Sequence, residues 1–223
     1  MHVDGFKKTF ALDQGAVLSN DQVFQALYNA PLTDDKRGGI CCGLSLIWLA
    51  RRMMFHNESA EQRAAALVSM PGFSWGGKTQ DIHNASPASG SGWADYLETM
   101  LSEALRVYVL RLVRPTISDG AHSNAAGDAA IMWAPARPAG SYVLHYIWLD
   151  MPGSANGCGH WTASYTSHGS FGRAGHFYHF DPNMGEHRVS TSDAETYLAG
   201  WVQAYDSGFS GIRYLCSVEL TRN

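Results

Sequence analysis

The stretch from Cys41 to Phe55 reads CCGLSLIWLARRMMF, and its apolar residues (Leu44, Leu46, Ile47, Trp48, Leu49, Met53, Met54) leave no polar stripe. A helix with that pattern cannot rest on a surface; other elements must enclose it on every side. Its longest apolar run, Ile40 to Ala50, holds Ser and Gly and is too short to span a bilayer. The sequence therefore predicts a buried central helix in a globular fold, with no transmembrane segment. The chain is long enough to wrap it. At 223 residues, area scaling buries about 70% of the unfolded surface, ample for one core and short for two ordinary domains. We expect a single domain over 1–223, with 1–18 as a peripheral arm.

Composition narrows the classes further. Hydrophobic residues make up 45% and charged ones 16%, which excludes wholesale disorder. Sixteen Lys+Arg against 20 Asp+Glu give a formal charge of −4, without the basic footprint of a nucleic-acid binder. Met1-His2-Val3-Asp4 leads into Lys7-Lys8 with no apolar segment, so no cleaved signal peptide is expected. Of the four cysteines, Cys41 and Cys42 are adjacent and ill placed to bridge, which predicts free thiols.

Helical signals dominate the first half. Ser19-Asn20-Asp21-Gln22 reads as a capping box before Val23, Phe24, Leu27 and Tyr28. Helices are expected over Cys41–Phe55, over the Ala-rich Glu58–Met70, and from Trp93 to Leu105, followed by a strand-like Val107, Val109 and Val113. Later the pattern changes to strands over Tyr142–Leu149, His160–Thr166 and His176–Phe180. A helix capped at Ser192-Asp193 follows, with Tyr197, Leu198, Trp201, Val202 and Tyr205 inward. An alternating strand from Ile212 to Leu220 closes the chain. Helices first and mainly strands later is an α+β signature. The segments Pro71–Gly92 and Pro115–Gly140 read as long loops that could border a site.

The chemistry concentrates at three places. Gly38-Gly39-Ile40-Cys41-Cys42-Gly43 sets thiols at the start of the buried helix, where unpaired N–H groups favour thiolate over thiol. Gly157-Cys158-Gly159-His160-Trp161 puts an imidazole at a strand's beginning, and His179-Phe180-Asp181-Pro182-Asn183 puts a carboxylate at a strand's exit. Asp181 could fix the His160 tautomer and leave the other ring nitrogen for Cys41. A small Cys pair packing the helix start, and an Asp that merely forms a turn, are the bland alternatives.

Gly39-Ile40-Cys41-x-x-Leu44-Ser45-x-x-Trp48-Leu49, His160 before Thr162-Ala163-Ser164-Tyr165, and Phe180-Asp181-Pro182-Asn183-x-Gly185 together resemble the YopT/AvrPphB-type cysteine proteases. The resemblance implies a papain-like α+β fold, a central helix carrying Cys packed on an antiparallel sheet carrying His and Asp. It implies Cys41 as nucleophile, His160 as general base and Asp181 as orienting acid, with no cofactor and no metal. Alignment on Leu44 and Trp48 selects Cys41 over Cys42. A bacterial effector is implied, secreted without a cleaved signal and cleaving protein substrates in the host cytosol. The stretch Asp34-Asp35-Lys36-Arg37 lacks the Asn or Gln that usually supplies an oxyanion donor. Two rivals therefore stay open: a Cys–His peptidoglycan amidase or endopeptidase toxin, and a catalytically silent protein-binding domain.

Other residues invite weaker readings. His176-x-x-His179 has metal-like spacing, but i and i+3 on a strand face opposite sides. His179 shares a face with Asp181 and is the reserve base. His145 reads as a satisfied core histidine, Trp148, Trp161 and Trp201 as core, and Arg51-Arg52 as partners of the helix's last carbonyls.

Overall fold

A computed structural model describes residues 3–20, 39–85, 93–113, 118–151, 157–170, 175–209 and 211–223. The expected helix over Val23–Tyr28 lies outside them. An antiparallel sheet runs through the middle, built from β1 (Lys7–Phe10), β2 (Leu110–Leu112), β3 (Ser118–Ala121), β4 (Tyr142–Leu149), β5 (Cys158–Thr166), β6 (His176–Asp181), β7 (Gly185–Ser190) and β8 (Ile212–Arg222). Its order is β1-β7-β6-β5-β4-β8-β2, with β3 also paired to β8. The helices are α1 (Gln14–Ser19), α2 (Cys41–Met54), α3 (Ala60–Leu67), α4 (Met70–Ala85), α5 (Trp93–Val107), α6 (Ala125–Ala136) and α7 (Ala194–Gly208). No helix among the described residues is long and apolar enough to cross a membrane.

The sheet is covered on both faces, which is why β4 is apolar almost throughout instead of alternating. One core joins α2, Phe73 and Leu101 to Leu144, Tyr146, Trp161, Ala163, Phe180, Cys216, Val218 and Leu220. The opposite core joins α6 and α7 to Val143, Ile147, Leu149, Phe177, Val189 and Leu215. α2 is enclosed over most of its length, with Leu44, Leu46, Trp48 and Leu49 inaccessible, while Met54 in its last turn is exposed, contrary to expectation. The α+β fold class is as expected, and so are α2, α3, α5, α7 and the strands β4, β5, β6 and β8 in outline.

Two expected loops hold helices. α4 occupies most of Pro71–Gly92 and α6 lies inside Pro115–Gly140. Glycines at 72, 76 and 77 make α4 a poor helix by propensity. The same lack of side chains lets α4 approach α2, since a Cβ on Gly43 would lie 2.0 Å from the Gly76 carbonyl oxygen. Packing wins over propensity there. At α7 the expected side-chain cap is replaced. Asp193 occupies the N-cap position but caps no N–H, and its Oδ2 accepts from Ser190 Oγ at 2.8 Å.

The first residues are part of the architecture. β1 extends the sheet along β7, and Val3, Phe10, Leu12 and Leu18 are buried. Arg51 and Arg52 lie in the last turn of α2, as expected, and also reach partners beyond it. Arg51 pairs with Glu58. Arg52 lies 3.1 Å from Glu186 and 4.0 Å over the Tyr178 ring. Glu186 is inaccessible on β7, and its carboxylate accepts from Trp48 Nε1 (2.8 Å), Thr9 Oγ1 (2.8 Å) and both Nε and Nη2 of Arg63 (2.9 Å each). Burial alone would raise its pKa, but the guanidiniums and hydrogen bonds bring it below the usual carboxylate value. One carboxylate thus ties β1, α2 and α3 to β7.

Candidate active site

α2 begins without a side-chain cap of its own. Its first N–H groups find partners from distant segments. Gln14 Oε1 accepts from Ile40 N at 3.0 Å, and Gln80 Oε1 accepts from Cys42 N at 3.1 Å. Gly39, at φ +114°, turns the chain into the helix where a side chain would be strained. Ser45, one turn in, donates to the Trp161 carbonyl at 3.1 Å. That bond fixes α2 against β5 next to His160.

The fold brings Cys41, His160 and Asp181 together. His160 Nε2 is 2.9 Å from Asp181 Oδ1, and the Cys41 thiol is near enough to act electrostatically on the same ring. Facing a carboxylate oxygen, Nε2 carries the proton, so Nδ1 is the nitrogen left for sulfur. Asp181 is inaccessible and accepts four donors. His160 and the Asn183 N–H (2.8 Å) reach Oδ1; Trp201 Nε1–H (2.8 Å) and the Tyr205 hydroxyl (2.8 Å) reach Oδ2. Burial raises the Asp181 pKa, but the His160 charge and these hydrogen bonds outweigh it and leave it depressed. Burial likewise lowers His160, and Asp181 beside it, with the bonds to Asp181 and Cys41, carries it above 6.5.

These opposite shifts predict a pH dependence. His160, raised in the fold, contributes stability below its unfolded value of 6.5 and loses it as pH rises toward the folded value. Asp181, depressed, contributes above its unfolded value of 3.8 and loses it as pH falls toward the folded one. The stability difference between wild type and His160→Gln, from urea unfolding, should therefore be largest between pH 4 and 6.5 and shrink above. A difference that grew from pH 6.5 to 8.5 would contradict the pairing. Total stability falls in acid for another reason. His145 and His179 are buried and held neutral, and must be protonated on unfolding.

The other candidates lie elsewhere. His179, the reserve base, has Nδ1 3.1 Å from the Tyr197 hydroxyl and Nε2 3.0 Å from Thr162 Oγ1, and burial pushes it down to about 3. His145 is satisfied by Ser217 Oγ and Ser164 Oγ, each at 2.7 Å. His176 pairs with Arg188 Nη2 at 2.8 Å, on the sheet face opposite to His179. Among the described residues no group of three or more His, Cys, Asp or Glu could hold a metal.

The thiols differ in the same way. Burial, then the neighbouring Cys41, raises Cys42 well above its ordinary value; the same two causes raise Cys158. Cys216 is pushed to about 12 by burial and by Asp119. Cys41 is distinguished by its interaction with the His160 ring. The open grooves lined by Arg51, Met54, Phe55 and Tyr108 lie toward the far end of α2 and do not include these residues.

Sequence reasoning missed three contributors. Gln14, buried, was placed on a peripheral arm, yet its amide joins Ile40 N to Asn183 Oδ1 (2.9 Å) and its own N–H donates to the Pro182 carbonyl (2.8 Å). Trp201 and Tyr205 read as core, yet both turn a polar atom to Asp181. The available signal was their i, i+4 spacing after Tyr197, which stacks three aromatic residues with polar handles along one helix face.

A thiol thus stands at the head of an enclosed helix, set against an antiparallel sheet bearing His and Asp. The structure is similar to the crystal structure of the Pseudomonas avirulence protein AvrPphB, with a TM-score of 0.65 and 22% identity, over 85% of this chain and 95% of that one. The fold is therefore that of AvrPphB, as expected from the sequence motifs. No family model matches the sequence, and no curated protein matches it.

Proposed function

We propose that the protein is a cysteine endopeptidase using Cys41, His160 and Asp181. The observation that carries this reading is the His160 ring, held between the Asp181 carboxylate and the Cys41 thiol. The Cys41 sulfur transfers its proton to His160 Nδ1 and attacks a peptide carbonyl carbon. The resulting oxyanion is met by the Cys41 N–H at the head of α2. Collapse breaks the C–N bond as imidazolium His160 gives its proton to the leaving amine, and a thioester remains. Water, deprotonated by His160, then releases the acid and restores the thiol. Asp181 holds the tautomer throughout. The AvrPphB fold supports protein substrates, and with the sequence motifs it supports a secreted bacterial effector acting on host proteins.

Covalent labelling tests the reading directly. An epoxide thiol-protease inhibitor should modify wild type and Cys42→Ala, with a mass increase located at Cys41, and leave Cys41→Ala unmodified. Labelling that survives in Cys41→Ala or disappears in Cys42→Ala would overturn the assignment.

A further inference from the structure

We propose that Tyr205 is a positioning residue of this site, its hydroxyl holding His160 in the tautomer that turns Nδ1 toward Cys41. The inference rests on the triad reading above and goes one residue beyond it.

The directions of the hydrogen bonds follow from one backbone donor. Ile40 N–H can only donate, so Gln14 presents Oε1 to it and its NH2 group to Asn183 Oδ1 (2.9 Å). Asn183 then has its NH2 group left for Tyr205, whose oxygen accepts it at 3.1 Å. The Tyr205 proton goes to Asp181 Oδ2 at 2.8 Å, since a carboxylate accepts only. The Tyr205 oxygen also lies 3.0 Å from His160 Nε2, and having donated elsewhere it can meet that nitrogen only as an acceptor. His160 Nε2 therefore faces two acceptors, Asp181 Oδ1 and the tyrosine oxygen, and a lone pair there would face oxygen lone pairs on both sides. The proton belongs on Nε2.

The ring of Tyr205 adds a second constraint. It stacks on the imidazole with centroids 5.3 Å apart and planes 27° apart, which resists rotation of His160 out of line. Tyr205 is itself inaccessible and packed on Trp201 (4.7 Å) and Phe209 (5.7 Å). Burial, with Asp181 nearby, raises its pKa well above the ordinary tyrosine value, so the hydroxyl keeps its proton over the working range. The chain of donors thus starts one residue before Cys41, crosses the β6–β7 turn, and returns to the ring that faces Cys41.

Tyr205→Phe keeps the ring and removes the oxygen. Two measurements separate positioning from packing: the rate of Cys41 carbamidomethylation by iodoacetamide between pH 5 and 9, and the ring ¹⁵N shifts of His160. We expect the rate at pH 6 to fall about tenfold, the scale of one buried hydrogen bond to a charged group, and the His160 Nε2 shift to move from its wild-type value. The Phe variant should still unfold cooperatively. A folded variant with the wild-type rate profile and unchanged His160 shifts would overturn the proposal while leaving the triad reading intact. A wild-type protein whose Cys41 alkylates with the pH profile of a free thiol would remove the triad reading and this proposal together. Should the Phe variant not fold, the wild-type ring carries the test: ¹⁵N shifts that place a lone pair on His160 Nε2 would overturn the role, and a proton on Nε2 supports it.

Discussion

Asp181→Asn is expected to lower turnover of a cleaved peptide by roughly 10,000-fold, the scale seen when a triad carboxylate becomes an amide. Four donors converge on this side chain: His160 Nε2–H, the Asn183 N–H, Trp201 Nε1–H and the Tyr205 hydroxyl. A carboxylate accepts all four; an amide accepts on one side and donates on the other. Turned toward His160, the new NH2 group would force Nε2 to accept and put the ring proton on Nδ1, against the Cys41 thiol. Turned toward Trp201, it would set donor against donor in a site without water access to relieve it. Either way the negative charge that favours imidazolium is gone. The check pairs hydrolysis with the iodoacetamide rate at Cys41, and both should collapse together. Hydrolysis within tenfold of wild type would show that His160 does not depend on Asp181.

Glu186→Ala should produce the largest loss of stability, about 3–5 kcal/mol, the cost of leaving a buried ion without its partner. The side chains of Arg63 and Arg52 are 4% and 11% exposed, and Glu186 is the carboxylate between them. Against a total stability of about 5–15 kcal/mol for a typical domain, this is a large share. Removing a single neutral donor from the same cluster, as in Trp48→Phe, should cost nearer 1 kcal/mol for the hydrogen bond. Urea unfolding followed by tryptophan fluorescence reads both. A partial recovery in Glu186→Leu combined with Arg63→Met would identify the unpaired charge, and not lost packing, as the cause. A Glu186→Ala loss under 1 kcal/mol would contradict the hub.

Legibility in the sequence followed physical locality. α2 was readable because its apolar residues circle the helix, and β4 to β6 because strand patterns between Gly and Ser segments are local signals. The three proposed triad residues were readable because each sits in a short context, a Gly-rich helix entry or a strand end, that resembles the family's. α4 was not readable. Its three glycines argue against a helix until Gly76 is seen opposite Gly43 across a contact too close for any side chain. Gln14 was hidden for the same reason, because its two amide partners, Ile40 and Asn183, lie far away in sequence.

The buried helix α2 was determined by sequence alone, since a segment so largely apolar has one way to avoid water. The fold class followed from the order of helical and strand patterns, and the choice of Cys41 from its place in the motif. Tertiary structure decided what surrounds those residues. It set His160 against Asp181, gave both nitrogens of His179 other partners, and placed Trp201 and Tyr205 on Asp181. It also gathered Arg52 and Arg63 on Glu186. Periodicity reports which face of an element is buried; it does not report which polar atoms meet there. Those meetings depend on strand register and helix approach, which are fixed by contacts across the whole chain.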